Sequence, residues 1–317
     1  MNHCNCNNFV TDKMKHRIQV EKFHTYTGHK DCLYTLERID GQRFVSSGAD
    51  GMVVLWNLSD LNSGRMIAKV TSSCYSLKYL PGQDLLIVGQ NFDGIHLVKL
   101  TEGKPVGSLK LEESAIFDIQ VDGDEAFVAT GSGAIFHVYL PELKIIRTIR
   151  NSDKSTRTIA LTSEFVIAGY SDQFIRVYGR KKNLELISEF EAHTVSVFSL
   201  QVDLERGWLI SGSRDAHFKV WQLGTFELHK DVVAHMYAIN HICYSLDNQH
   251  FVTCSMDKSI KIWDAETFQL KKVIDKARHA GHGTSVNKLL WMPYHDFLVS
   301  CSDDTSIAVW DIKMGDQ

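Results

Sequence analysis

Seven times along its 317 residues the chain returns to one short pattern: an apolar run, a turn and an alternating run. Four copies align without gaps from an aspartate to a tryptophan six residues later: Asp50 to Trp56, Asp215 to Trp221, Asp257 to Trp263 and Asp304 to Trp310. Alternation such as Ser259-Ile260-Lys261-Ile262-Trp263 is the period of a strand with one face buried, so each copy reads as strand, turn, strand: a β-hairpin. Three weaker copies keep the spacing without the tryptophan: Asp93 to Lys99, Gly133 to Tyr139 and Asp172 to Tyr178. The turns therefore stand at 50, 93, 133, 172, 215, 257 and 304, at intervals of 43, 40, 39, 43, 42 and 47. A period near 42 is the length of a four-stranded blade, one supersecondary unit that buries its faces against its neighbours.

Gly28-His29, Ala192-His193, Ala234-His235 and Gly281-His282 precede the four strong copies, and Trp263-Asp264 and Trp310-Asp311 lie inside two of them. The histidine-to-aspartate separations are 21, 22, 22 and 22. On these residues, from about Arg17 to Lys313, the chain resembles the WD40 family. The resemblance implies an all-β fold: a single seven-bladed WD40 β-propeller of four-stranded antiparallel blades. A ring must close or it leaves unpaired strand edges. Ile18–Tyr26 resembles Leu184–Phe190, which leads into Ala192-His193, while the last copy ends at Asp311 with almost no chain left for an outer strand. The N-terminal strand is therefore expected to complete the seventh blade. Residues 16–317 are read as the propeller, and the polar residues 1–15 as a disordered tail.

A hydroxyl lies four residues before each strong aspartate. Each blade thus gains a matched set: His29, Ser46, Asp50 and Trp56; His193, Ser211, Asp215 and Trp221; His235, Thr253, Asp257 and Trp263; His282, Ser300, Asp304 and Trp310. Ser, His and Asp together invite a hydrolase reading. A structural reading explains more. Indole to hydroxyl, hydroxyl to imidazole and imidazole to carboxylate give each donor one acceptor, and a catalytic triad has no reason to occur four times at one period. The family resemblance implies the same tetrad. The weak copies place Gly89, Ala129 and Ala168 in the hydroxyl slot, so blades two to four are expected to rest on packing alone and to form the softer arc.

Composition narrows the function. With 34 basic and 38 acidic residues the net charge is −4, which disfavours a polyanion partner, so no nucleic acid is expected. No stretch reaches the roughly 18 apolar residues of a membrane span, and the N-terminus lacks the apolar core of a leader, so no membrane association is expected. The odd count of seven cysteines has no framework spacing; Cys32, Cys74, Cys243, Cys254 and Cys301 read as small buried hydrophobes in the reducing cytoplasm. His3, Cys4 and Cys6, or His279 and His282, lack the paired spacing of a zinc site, and no metal or cofactor is expected. Thr130-Gly131-Ser132-Gly133 precedes a strand rather than a helix, so it reads as a hairpin turn and not a phosphate loop.

The innermost strand of each blade opens on a four-residue pattern whose fourth member is always Leu or Ile, from Leu33-Tyr34-Thr35-Leu36 to Val286-Asn287-Lys288-Leu289. By alternation the second and fourth members share one side. The family resemblance implies that the second position lies at the narrow-face mouth of the central channel. That gives Tyr34, Tyr75, Phe117, Arg157, Phe198, Asn240 and Asn287. The residue before each turn joins them on the same face: Ala49, Phe92, Ser132, Ser171, Arg214, Met256 and Asp303. Five aromatics, a methionine and two arginines have the composition of a binding hot spot. Lys276, Arg278 and His279, in the long interval before blade seven, are expected to extend the rim with positive charge. The chain is therefore expected to be a monomeric, non-catalytic scaffold binding a protein or peptide there. The alternatives are a propeller enzyme, a nucleic-acid-binding module, or a ubiquitin-ligase substrate receptor. The last draws on Leu298–Lys313, which approximates the box of cullin-RING receptors but carries Lys313 for its arginine and departs at Cys301.

Overall fold

The computed structural model describes residues 18–314, and the tail read over 1–15 lies outside them. Seven four-stranded antiparallel sheets form the blades of a propeller, and six of them are built from four strands consecutive in the chain. The seventh takes Val286–Met292, Phe297–Ser302 and Ile307–Lys313 from the C-terminal end and Gln19–Tyr26 from the N-terminal end. The closing strand pairs from Gln19 opposite Lys313 to Tyr26 opposite Ile307. Tyr26 is buried and its hydroxyl donates to the Asn57 carbonyl at 2.9 Å, so the closure also reaches blade one.

Near-continuous buried runs in the inner strands, such as Phe44–Gly48 and Phe297–Ser302, bury both faces of each sheet, while the outer strands alternate toward solvent. The core is accordingly divided into one cluster per blade interface. Between blades seven and one, Val299, Cys301 and Val309 meet Leu33, Leu36, Phe44 and Trp56. Cys74, Cys254 and Cys301 are fully buried, whereas Cys32 and Cys243 are only partly so. Among the described residues no helix is long and apolar enough to cross a membrane.

Inter-strand pairing corrects the repeat register in two blades. Leu36 lies opposite Ser46, Leu200 opposite Ser211 and Leu289 opposite Ser300. The corresponding pairs in blades two and three are Leu77 with Val88 and Ile119 with Val128. The hydroxyl slots are therefore Val88 and Val128 rather than Gly89 and Ala129; Ala168 stands where expected. The turn slots move back by one as well, to Phe92 and Ser132.

Candidate protein-interaction site

The four tetrads are formed as chains of hydrogen bonds. In blade one the Trp56 indole donates to Ser46 Oγ at 2.7 Å, Ser46 Oγ lies 2.8 Å from His29 Nε2, and His29 Nδ1 lies 2.9 Å from Asp50. The matching distances are 2.9, 2.8 and 3.0 Å through Ser211, 2.9, 2.7 and 2.8 Å through Thr253, and 2.8, 2.9 and 3.0 Å through Ser300. A carboxylate only accepts, so the proton sits on Nδ1; Nε2 then accepts from the hydroxyl, which accepts from the indole. All four hydroxyls are fully buried with the indole on their oxygen, which leaves no approach for a substrate. Each aspartate also accepts backbone N–H groups, Lys30 and Met52 at Asp50, and so pins the loop above the hairpin.

These networks give stability a sign with pH. Desolvation holds His29, His193 and His235 below the ordinary histidine value, against the pull of their aspartates. Burial works against the Asp50, Asp215, Asp257 and Asp304 carboxylates, yet their histidine and N–H donors outweigh it and hold them low. A group with a lower pKa in the folded state binds fewer protons there than in the unfolded chain. Its stabilisation is complete above the unfolded value and is lost as pH falls toward the folded one. The melting temperature is therefore expected to fall as pH drops through about 6.5, where the unfolded histidines titrate, and to fall again below about 4 with the carboxylates. A scan of melting temperature against pH that stays flat or rises between 7.5 and 5 would contradict this.

The channel mouth is built by one repeated irregularity. In every blade the innermost strand shifts register between the first and third members of its four-residue pattern, as between Leu33 and Thr35 or Val286 and Lys288. The second member is a β-bulge residue without a partner across the ladder. A bulge re-aims its side chain, and all seven second members line one cavity of about 260 Å³. Strict alternation is corrected here: the fourth members, Leu36 to Leu289, are buried in the clusters between blades, and only Ile159 and Leu200 among them also reach the cavity.

The seven side chains form a collar. The rings of Tyr34 and Tyr75 lie 4.6 Å apart and those of Tyr75 and Phe117 5.5 Å apart. The Arg157 guanidinium sits 3.7 Å from the Phe117 ring and 4.7 Å from the Phe198 ring. Asn240 Nδ2 donates to Ser285 Oγ and the Val286 carbonyl, both at 2.9 Å. Asn287 Nδ2 donates to the Leu33 carbonyl and to Asp303, both at 2.7 Å, and returns the collar to blade one. Third-position side chains tie neighbouring blades beneath it: Asp118 accepts from the Ile159 N–H at 2.7 Å and Ser199 from the Ile242 N–H at 3.1 Å.

The second set of expected rim residues divides. A backbone bond recurs from residues 49, 91, 131, 171, 214, 256 and 303 to the residue preceding each four-residue pattern. The rim position of blade two is therefore Asn91, and that of blade three Gly131. Phe92 instead occupies the turn slot, with φ 63° and 63% exposure, and leaves the rim; the collar has four aromatics rather than five. Arg214 and Met256 are exposed at the rim position of blades five and six, outside the residues that line the cavity. Asp303 accepts from Asn287, so its carboxylate is already engaged. Lys276–His279 forms a helical turn before blade seven, where Arg278 pairs with Asp275 at 2.6 Å and its charge is neutralised.

Sequence reasoning passed over Asn91, His241 and Lys288, and also Met236 and Tyr237, which are 82% and 61% exposed. The last pair had a readable signal. The two residues after each tetrad histidine are Lys30-Asp31, Thr194-Val195 and Gly283-Thr284 elsewhere, and only blade six offers two large apolar ones.

The family model described as WD domain, G-beta repeat matches residues 20–57, 184–222, 224–264 and 275–311, the blades that carry tetrads together with the closing strand. Human striatin is 25% identical over 234 residues, covering 65% of this chain and 30% of striatin. Eukaryotic translation initiation factor 3 subunit I of Coccidioides immitis is 26% identical over 216 residues, covering 67% of this chain and 57% of that protein. Cell division control protein 4 of Candida albicans is 27% identical over 153 residues, covering 48% of this chain and 19% of that one. The chain thus spans less than two thirds of each relative. The crystal structure of the WD40 β-propeller domain of Doa1 superposes with a TM-score of 0.82 at 19% identity, covering 92% of this chain and 96% of that one. Four matched repeats, four tetrads and a closed ring of seven blades place this chain in the WD40-repeat family.

Proposed function

We propose that the propeller is a non-catalytic scaffold that holds a peptide or loop of another protein over the narrow-face channel mouth. The observation that carries this reading is the convergence of Tyr34, Tyr75, Phe117 and Phe198 around Arg157 on one cavity. Aromatics flanking an arginine are the residues that dominate binding energy at protein interfaces. The ionisable groups of the mouth offer no general base paired with a nucleophile: Asp118 accepts from the Ile159 N–H, and Arg157 lies against two rings as a cationic donor. The box at Leu298–Lys313 spends Ser300, Asp304 and Trp310 on its tetrad, which weakens the ubiquitin-ligase reading.

The test is an affinity purification that compares wild type with a Tyr75→Glu, Phe198→Glu double variant whose melting curve shows an intact fold. A partner that binds through the mouth is expected to be depleted at least about tenfold, since losing two hot-spot aromatics costs more than about 1.4 kcal/mol. Equal recovery by both proteins sinks the mouth assignment.

A further inference from the structure

We propose that the segment held at this mouth is acidic and apolar: a carboxylate side chain seats against Arg157, and an adjacent apolar side chain rests on Met236, Tyr237 and Met256. The proposal rests on the channel-mouth reading and names the chemistry of its occupant.

The first argument is charge. The Arg157 guanidinium lies against two rings, 3.7 Å from the Phe117 centroid and 4.7 Å from that of Phe198, which stand on the blades to either side. Its N–H edge has no carboxylate or carbonyl acceptor among the described residues, and burial lowers its pKa to about 10. A guanidinium stacked in this way keeps its in-plane donors for a bidentate acceptor, which a carboxylate matches in geometry and charge. The remaining charges point the same way. Lys288 in the cavity wall and the exposed Arg214 and Lys258 make no ion pair among the described residues. Three carboxylates near the mouth have acceptor sites already engaged: Asp118 by the Ile159 N–H and Gln120, Asp303 by Asn287, and Asp257 by His235 and the Met236 N–H. The mouth thus offers cationic donors that have no ion-pair partner among the described residues, beside carboxylates held by neutral donors.

The second argument is a shelf. Met236 is 82%, Tyr237 61% and Met256 52% exposed, and the three are fixed in one loop cluster of blade six. The Met236 N–H donates to Asp257 at 3.1 Å, the Ser255 hydroxyl to the Tyr237 carbonyl at 3.1 Å, and the Met256 N–H to the Ala238 carbonyl at 3.1 Å. Ala238, Ile239 and the collar residue Asn240 follow in the chain, so the shelf loop leads into the collar of blade six. Methionine adapts to varied apolar shapes and tyrosine adds rigid area, the chemistry of a surface that accepts an apolar side chain. No other tetrad blade carries large apolar residues at all three positions, which gives the occupant one direction in which to lie.

The experiment selects short random peptides displayed on phage against the folded full chain, then measures the selected peptides by fluorescence anisotropy. The wild type is expected to enrich peptides with a glutamate or aspartate next to a large apolar residue. Arg157→Gln is expected to weaken them by roughly thirtyfold or more, the loss typical of removing one partner of a desolvated charge pair, with partial recovery in Arg157→Lys. Met236→Glu, a solvent-exposed change that leaves the fold intact, is expected to weaken the same peptides by roughly tenfold or more, since it removes apolar contact and adds like charge. Peptides that need Tyr75 and Phe198 but are neutral or basic, or that ignore Arg157→Gln, overturn the acidic assignment and leave the mouth reading standing. Selected peptides indifferent to the Tyr75→Glu, Phe198→Glu variant, or no enrichment at all, overturn both.

Discussion

A chain that lacks Gln19–Tyr26 is expected to lose cooperative folding and to elute as oligomer or aggregate. The strand supplies the whole outer edge of blade seven, from Gln19 opposite Lys313 to Tyr26 opposite Ile307. Without it Ile307–Lys313, an apolar strand, becomes an open edge, the arrangement that recruits other chains. The loss is more than hydrogen bonds. Tyr26 packs against Trp56 at 5.0 Å and bonds to Asn57, so blades seven and one separate at the only junction where the two ends of the described chain meet. Truncating one buried aromatic costs about 3–5 kcal/mol, and a whole domain has only about 5–15 kcal/mol to lose. Tyr26→Ala alone is expected to lower stability by about 3 kcal/mol. Size-exclusion chromatography and a melting curve decide the matter. A monomeric truncated protein that melts like wild type would mean that the ring holds without closure.

What could be read from sequence follows from how tightly each feature is tied to residue type. The tetrads need an imidazole, a hydroxyl, a carboxylate and an indole at fixed separations, and each of the four is spelled out. The closing strand was legible because Ile18–Tyr26 had no other ring position to fill. Blades two and three offer no such anchor. Asp93 and Gly133 are turn formers standing one residue past the slot that Asp50 fills, and only the pairing of Leu77 with Val88 and Ile119 with Val128 fixes the true register. That slip put Phe92 on the rim in place of Asn91. The bulge in the innermost strand was illegible for a different reason. It is a property of the ladder between two strands and has no residue signature: Tyr34, Arg157 and Asn240 occupy it alike. The collar residues were nonetheless found, because the resemblance supplied their place while the alternation argument did not. Met236 and Tyr237 were visible only by comparing loops across blades.

Asp172→Ala is expected to cost about 3 kcal/mol, although blade four has no tetrad and was expected to rest on packing alone. Asp172 fills the turn slot, Ala168 the hydroxyl slot and Tyr178 the indole slot. The aspartate keeps its task with other partners. It accepts from the Ser152 hydroxyl at 2.6 Å, which holds the preceding loop, and its two carboxylate oxygens accept from Arg176 Nη1 at 2.8 and 3.1 Å. Arg176 is only 6% exposed, lies 4.5 Å from the Tyr170 ring and also bonds Glu189 at 2.5 Å. The Tyr170 and Tyr178 hydroxyls meet at 2.7 Å beneath it. Removing one partner strands a buried charge, a loss of about 3–5 kcal/mol; Glu189 remains, which puts the expectation at the lower end. Removing both charges in Asp172→Ala, Arg176→Met is expected to recover much of that, because the unpaired guanidinium goes with its partner. Chemical denaturation of the two variants provides the measurement, and an Asp172→Ala midpoint equal to wild type would dismiss the network. The softer arc then shrinks from three blades to two. Blades two and three carry valine at both the hydroxyl slot, Val88 and Val128, and the indole slot, Val98 and Val138, so among the described residues no buried imidazole–hydroxyl–indole chain ties their loops to their hairpins. Their amides are expected to exchange with solvent before those of blade four, and the order of exchange separates packing from polar tethering within one molecule.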